Sequence, residues 1–216
     1  MPRKTTVLHW LCFALSLSLV GCSIKPVEPY VEPALGTPTA TLRVITNGGV
    51  GGGSYKGCLG GWKNLATAGR FKNGSPSINY IQQPEHPPRL QMPARIAPAL
   101  PELPPVLRRA EGSYAEIVAE YRVPAGEPFL LHSIGASAGG VGNQYSACPG
   151  ERGVFQFEAN KYYEMMAGMF VRADKEGNAE NACIFSIYEL MQIPTSTVTY
   201  PVRLSSVKPS EKSCAE

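Results

Sequence analysis

Asp174 is the sole aspartate among 17 acidic residues in this 216-residue chain. Any mechanism that demands an aspartate is confined to that one position. Histidine is scarce as well: His9 lies in the first apolar run, which leaves His86 and His132. No Cys-x-x-Cys occurs, so the ligand spacing of structural zinc sites is missing, and neither a metal nor another cofactor is expected. Charge is sparse and balanced, with 20 basic residues against 17 acidic ones. Losing Arg3 and Lys4 with a leader would bring the net charge to about +1. A surface so close to neutral has no basic footprint for nucleic acid, and no such partner is expected. Long apolar runs are missing too. Val7 to Val20 spans about 14 residues, short of the roughly 20 that a membrane-crossing helix needs.

What that run does fit is an export signal. Arg3 and Lys4 precede it, and Leu19-Val20-Gly21-Cys22 closes it with small residues. These four residues resemble the lipobox of bacterial lipoproteins, with residues 1–21 removed and Cys22 acylated as the first mature residue. Ser23 resembles the outer-membrane sorting choice, since inner-membrane retention usually carries Asp there. The resemblance implies a protein of the cell envelope, held in the outer membrane by lipid on Cys22 and facing the periplasm. Each buried methylene of an acyl chain adds about 0.8 kcal/mol, so several chains anchor firmly.

Of the six cysteines, Cys12 leaves with the signal and Cys22 takes the lipid. An even set remains in an exported chain, Cys58, Cys148, Cys183 and Cys214, and it reads as two disulfides. Three pairings are open. Cys148–Cys183 with Cys58–Cys214 is favoured, since the first pair flanks one strand-rich segment and the second would tie the two ends together.

Residues 22–40 carry Pro26, Pro29, Pro33 and Pro38 and read as an extended tether. Residues 41–83 open with a β-branched strand, Thr41 to Thr46, followed by eight glycines between Asn47 and Gly61. That stretch lacks the Gly-Lys-Ser or Gly-Lys-Thr ending of a phosphate-cradling loop. It is expected to be a flexible surface loop pinned by Cys58, with Tyr55 and Trp62 either forming a binding surface or covering a sheet edge. Ser77 to Ile81 reads as a short strand. Residues 84–112 form a proline-rich arm, eight prolines falling between Pro84 and Pro105. It is either a linker between domains or an arm lying over the domain surface.

Residues 113–207 are dense in pattern. Glu116 to Val123 alternates, with Glu116, Glu120 and Arg122 expected to face solvent; a helix capped by Ser113 competes. Phe129 to Ile134 continues as a strand after a Pro-Ala-Gly-Glu-Pro turn, and Gly139 to Gly153 reads as a loop carrying Cys148. Val154 to Phe157 is a short strand. Tyr162 to Val171 reads as a strand buried on both faces, although Tyr162, Met165, Met166, Met169 and Phe170 would also share a helical face. Cys183 to Ile193 alternates cleanly, and Thr197 to Leu204, broken by Pro201, reads as an edge strand. Residues 208–216 form a tail with Cys214. Short strands at close spacing imply an all-β fold, an antiparallel β-sandwich of prealbumin-like or immunoglobulin-like kind.

Two arrangements could carry chemistry. Gly135-Ala136-Ser137-Ala138-Gly139 matches the serine-hydrolase elbow, which needs a helix after the serine and normally a histidine later in the chain. None follows Ser137, so His132 or His86 would have to act as base. Met165, Met166, Met169 and Met191 could suggest Cu(I), but read more simply as adaptable core fillers. No catalytic residue is assigned.

Val123-Pro124-Ala125-Gly126-Glu127-Pro128-Phe129, then Cys148, Phe155 to Tyr163, and Cys183 before Phe185 resemble uncharacterised bacterial lipoproteins with a prealbumin-like β-sandwich. The resemblance covers about residues 113–193. It implies a fold and an envelope location, with no catalytic residues to carry over. The expected function is therefore non-enzymatic: binding or supporting another envelope component, a protein or a glycan. A serine hydrolase using Ser137 is the alternative.

Overall fold

Alternating and β-branched segments become strands throughout the computed structural model, which describes residues 28–69, 88–96, 108–109, 113–139, 146–174 and 176–207. In chain order they are β1 (Thr39–Thr46), β2 (Gly49–Ser54), β3 (Lys63–Thr67), β4 (Ala94–Arg95), β5 (Arg108–Arg109) and β6 (Ile117–Pro124). Then come β7 (Pro128–Ala138), β8 (Ser146–Cys148), β9 (Glu151–Gln156), β10 (Tyr162–Ala173), β11 (Ala179–Gln192) and β12 (Val198–Arg203). The helix alternatives over 113–123 and 162–171 do not form.

The strands make two packed sheets, the expected all-β sandwich. One has the order β4-β12-β11-β10-β1-β6, with β5 also paired to β10; the other runs β3-β2-β7-β8, with β9 also on β7. The larger sheet is mixed rather than purely antiparallel. β1 runs parallel to β10, Thr41 facing Tyr162, and antiparallel to β6 on its other side. Residues 41–67 therefore belong to the same sandwich as the segment from 113 onwards.

Between the sheets lies one core: Leu42 and Val44 of β1, Tyr163 and Met165 of β10, and Phe129 and Leu131 of β7, among others. Fully burying each such side chain contributes about 1.5–3 kcal/mol. β10 is buried on both faces as its composition requires, because the larger sheet is also covered outside. There Ile45, Met166, Phe170 and Tyr188 form a second cluster.

Three expectations are overturned. The glycine-rich segment is not a flexible loop; its first half is β2, paired with β3 and β7. The missing side chains are replaced by neighbours. A Cβ on Gly51 would meet the Trp62 ring at 2.1 Å, and one on Gly52 would meet Leu65 and Phe129 at 2.7 and 2.8 Å. Glycine here allows close approach rather than flexibility. Second, the loop expected over 139–153 contains β8 and the start of β9. Third, Glu120 does not face solvent, for reasons given below. Ser77 to Ile81 lies outside the described residues.

Segments without regular structure seal the strand edges. From Glu28 the expected tether is already docked on β3: the Tyr30 N–H donates to Asn64 O at 2.9 Å, and the Asn64 N–H donates to Glu28 O at 2.8 Å. The Tyr30 ring packs edge-on against Tyr121 and Phe129. Glu32 then accepts hydrogen bonds from the Arg122 N–H and guanidinium, both at 2.8 Å, on the edge of β6. The proline-rich arm lies over the domain surface where it is described. The Glu120 N–H donates to Pro88 O at 2.8 Å, and β4 pairs with the edge of β12. An edge treated in this way has fewer backbone groups open to another chain.

Candidate binding surfaces

Cys22 and the signal before it lie outside the described residues, as do His86 and Cys214. Tyr55 and Trp62 stand at the two ends of the loop joining β2 to β3, and both are half-buried. Trp62 lies flat enough over β2 to fill the place of a Gly51 side chain, with its ring centroid 5.0 Å from that of His132. It thus covers the outer face of the smaller sheet. The Tyr55 N–H donates to Pro128 O at 2.8 Å, extending the β2–β7 ladder by one residue.

His132 projects beside Trp62, opposite Arg152 of β9. Its Nδ1 is buried and meets no hydrogen-bond partner among the described residues. Desolvation first, and the Arg152 charge second, hold the imidazole below its ordinary pKa, so it stays neutral near pH 7. Ser137 is exposed within β7, facing Ala147 of β8. Ser137 lies inside a strand and not at the strand-to-helix turn that a nucleophile elbow needs. Five residues of extended chain separate Ser137 from His132, on the order of 15 Å, so His132 does not reach the Ser137 hydroxyl.

Among the openings large enough to admit a ligand, one of about 620 Å³ lies at the turn between β6 and β7 against Phe157, and two others lie nearer the residues singled out above. One, about 330 Å³, lies beside Ser137 and is lined by Asn47, Gly49, Tyr114, Ile134 and Cys148 among others. The other, about 670 Å³, opens between β9 and β11. Phe155, Phe185, Ile187 and Leu204 line it together with Glu151 and Arg152.

The methionines do not gather. Met165, Met166 and Met169 belong to three separate apolar clusters on alternating faces of β10, and Met191 is exposed at the sheet end. No single ion could take thioether ligands from all of them.

Cys148 and Cys183 are bonded, with Cα atoms 5.4 Å apart, so the bridge ties β8 of the smaller sheet to β11 of the larger one. Closing a loop of 35 residues stabilises the fold by about 3–4 kcal/mol in the chain-entropy account. Cys58 is disulfide-bonded as well, and Cys214, its expected partner, lies outside the described residues.

The feature that sequence reasoning missed is a buried ionic row. Register places Glu120, Arg43 and Glu164 side by side across β6, β1 and β10. The Arg43 guanidinium donates to Glu120 and to Glu164, both at 3.1 Å, and to the carbonyls of Met92 and Pro93 at 2.9 and 3.0 Å. Glu120 also accepts from the N–H groups of Leu90 (2.6 Å) and Met92 (3.3 Å), while Arg95 pairs with Glu164. The arm is therefore seated on charges buried in the sheet face. Desolvation alone would push the Glu120 carboxyl up; the hydrogen bonds from Leu90, Arg43 and Met92 outweigh it and hold it below its ordinary value. A signal was present in the sequence: Arg43 and Glu164 each interrupt a run whose neighbours are buried, and a charge in such a place requires a partner.

No family model, curated protein or solved structure matches the chain.

Proposed function

We propose that this chain is a lipid-anchored protein of the bacterial cell envelope, held in the outer membrane and facing the periplasm, that binds another envelope component and does no chemistry on it. The observation that carries the reading is the Cys148–Cys183 bridge. A disulfide that joins two sheets belongs to an oxidising compartment, in keeping with the Leu19–Cys22 signal. The cleft between β9 and β11 and the loop from Tyr55 to Trp62 are the surfaces offered to a protein or glycan partner.

Cells fed a clickable fatty acid should label the wild-type chain, and Cys22→Ala should lose the label and leave the membrane fraction. An unlabelled wild-type chain would remove the anchor from the reading. A photo-crosslinker placed at Ser206, on the rim of the cleft, or at Lys56, in the loop, should then yield a discrete adduct in intact cells. Silence from both positions would count against a binding role.

A further inference from the structure

Residues 28–38, docked onto the domain, carry two apolar side chains that no described residue covers. Leu35 is 88% exposed and Val31 79%, whereas the next most exposed large apolar side chain among the described residues, Ile134, stands at 52%. Their setting is rigid. Tyr30 is held by Asn64 and Arg122, and Glu32 by Arg122. Leu35 occupies the apex of a turn in which the Thr37 N–H donates to Ala34 O at 3.2 Å and Gly36 takes a φ of 87°. Turn tips ordinarily carry residues such as Gly, Pro, Asn, Asp or Ser. A leucine at such a tip, with a valine four residues before it on the same docked segment, leaves two apolar side chains in water that folding does not bury.

We infer that Val31 and Leu35 enter the bilayer that holds the Cys22 lipid, so that the domain rests on the membrane by this segment instead of standing away from it. The inference rests on the lipid anchor proposed above. Chain length supports it: Cys22 and Glu28 are six residues apart, a reach of at most about 22 Å, so the docked segment stays close to the headgroups. Charge supports it as well, since Glu28 is paired with Lys63 and Glu32 with Arg122. These partners offset the acidic charge that would otherwise be repelled by an anionic surface. Two side chains alone would bind a membrane weakly. With the lipid already in place, their insertion is intramolecular and benefits from a high effective concentration.

The test uses the lipidated chain in vesicles of phosphatidylethanolamine and phosphatidylglycerol, with and without bromine on the acyl chains. Leu35→Trp, and independently Val31→Trp, should show emission at least twofold weaker in the brominated vesicles, while the parent protein, which has Trp62 alone in its mature part, changes little. Both substitutions lie on exposed positions, and unchanged circular dichroism checks that they fold. A preparation that floats with the vesicles but shows no such quenching at either position overturns the inference and leaves the anchor standing. A preparation that carries no lipid and does not float overturns the anchor and this seating together.

Discussion

Replacing Arg43 with alanine should lower the unfolding free energy by about 3–5 kcal/mol, the usual loss when one member of a buried ionic group is removed. The reason lies in what remains. The side chains of Glu120 and Glu164 are 3% and 1% exposed, and without the guanidinium between them two carboxylates face a gap with too few donors. The carbonyls of Met92 and Pro93 lose their donor as well, so the arm should loosen and become open to proteolysis near Arg89 and Arg95. Denaturant unfolding monitored by fluorescence measures the first effect, and limited trypsin digestion the second. A midpoint within a few tenths molar of wild type would show that the row is dispensable. The deficit should also shrink in acid. Glu120 has a folded-state pKa below its unfolded value near 4.5, so its contribution is complete above that value and is lost as the pH falls through the lower, folded one.

Gly168→Ala should be as damaging, by about 3–5 kcal/mol, although it adds a single methyl group. Gly168 has a φ of 144°, and a Cβ there would stand 2.0 Å from the Asn47 Oδ1. Asn47 is 1% exposed, and its side-chain amide does the work of a peptide group. It accepts from the Met169 N–H at 2.9 Å and donates to the Met169 carbonyl at 2.5 Å, just where β1 ends and β10 would lose its neighbour. Alanine would impose backbone strain of about 1–3 kcal/mol and push Asn47 off two buried backbone groups, each costing about 1–3 kcal/mol if left unmet. Asn47→Ala should lose only the second part. Because both changes break the same bonds, the double variant should fall well short of the sum of the singles. Additive losses in thermal or denaturant unfolding would contradict this coupling.

How much of this was legible depended on whether a residue's neighbours lie nearby in sequence. The alternation from Cys183 to Gln192 specifies a strand by itself, the apolar run of β10 fitted a doubly buried strand although it also fitted a helical face, and the Cys148–Cys183 pairing followed from the strand-rich segment the two flank. Pro201 on an edge was readable too, because proline cannot donate to a ladder. The glycine-rich strand was not readable, since its missing side chains are supplied by Trp62, Leu65, Phe129 and Ile134, the last two some 80 residues away. Glu120 looked like a solvent-facing charge because its roof is the arm at Leu90 and Met92. Tyr30 sat in what read as a proline tether, and nothing local announces that its ring enters the gap between the sheets. At the candidate surfaces, the aromatic character of Tyr55 and Trp62 was visible, but the cleft between β9 and β11 exists only once two distant strands are brought together.

The parallel pairing of β1 with β10 also sets the order in which this chain can fold. Arg43 and Glu164 are separated by 121 residues, so the central strand of the larger sheet gains its second neighbour only after most of the chain has collapsed. Loop closure over that distance must be met before the contact rewards it, which places folding in the slow range for β proteins, roughly milliseconds to seconds. Until then β1 has β6 as its only possible ladder partner in the larger sheet, and the buried charge of Arg43 has half its counterions. A chain whose first strand waits for a partner so far downstream completes its larger sheet late.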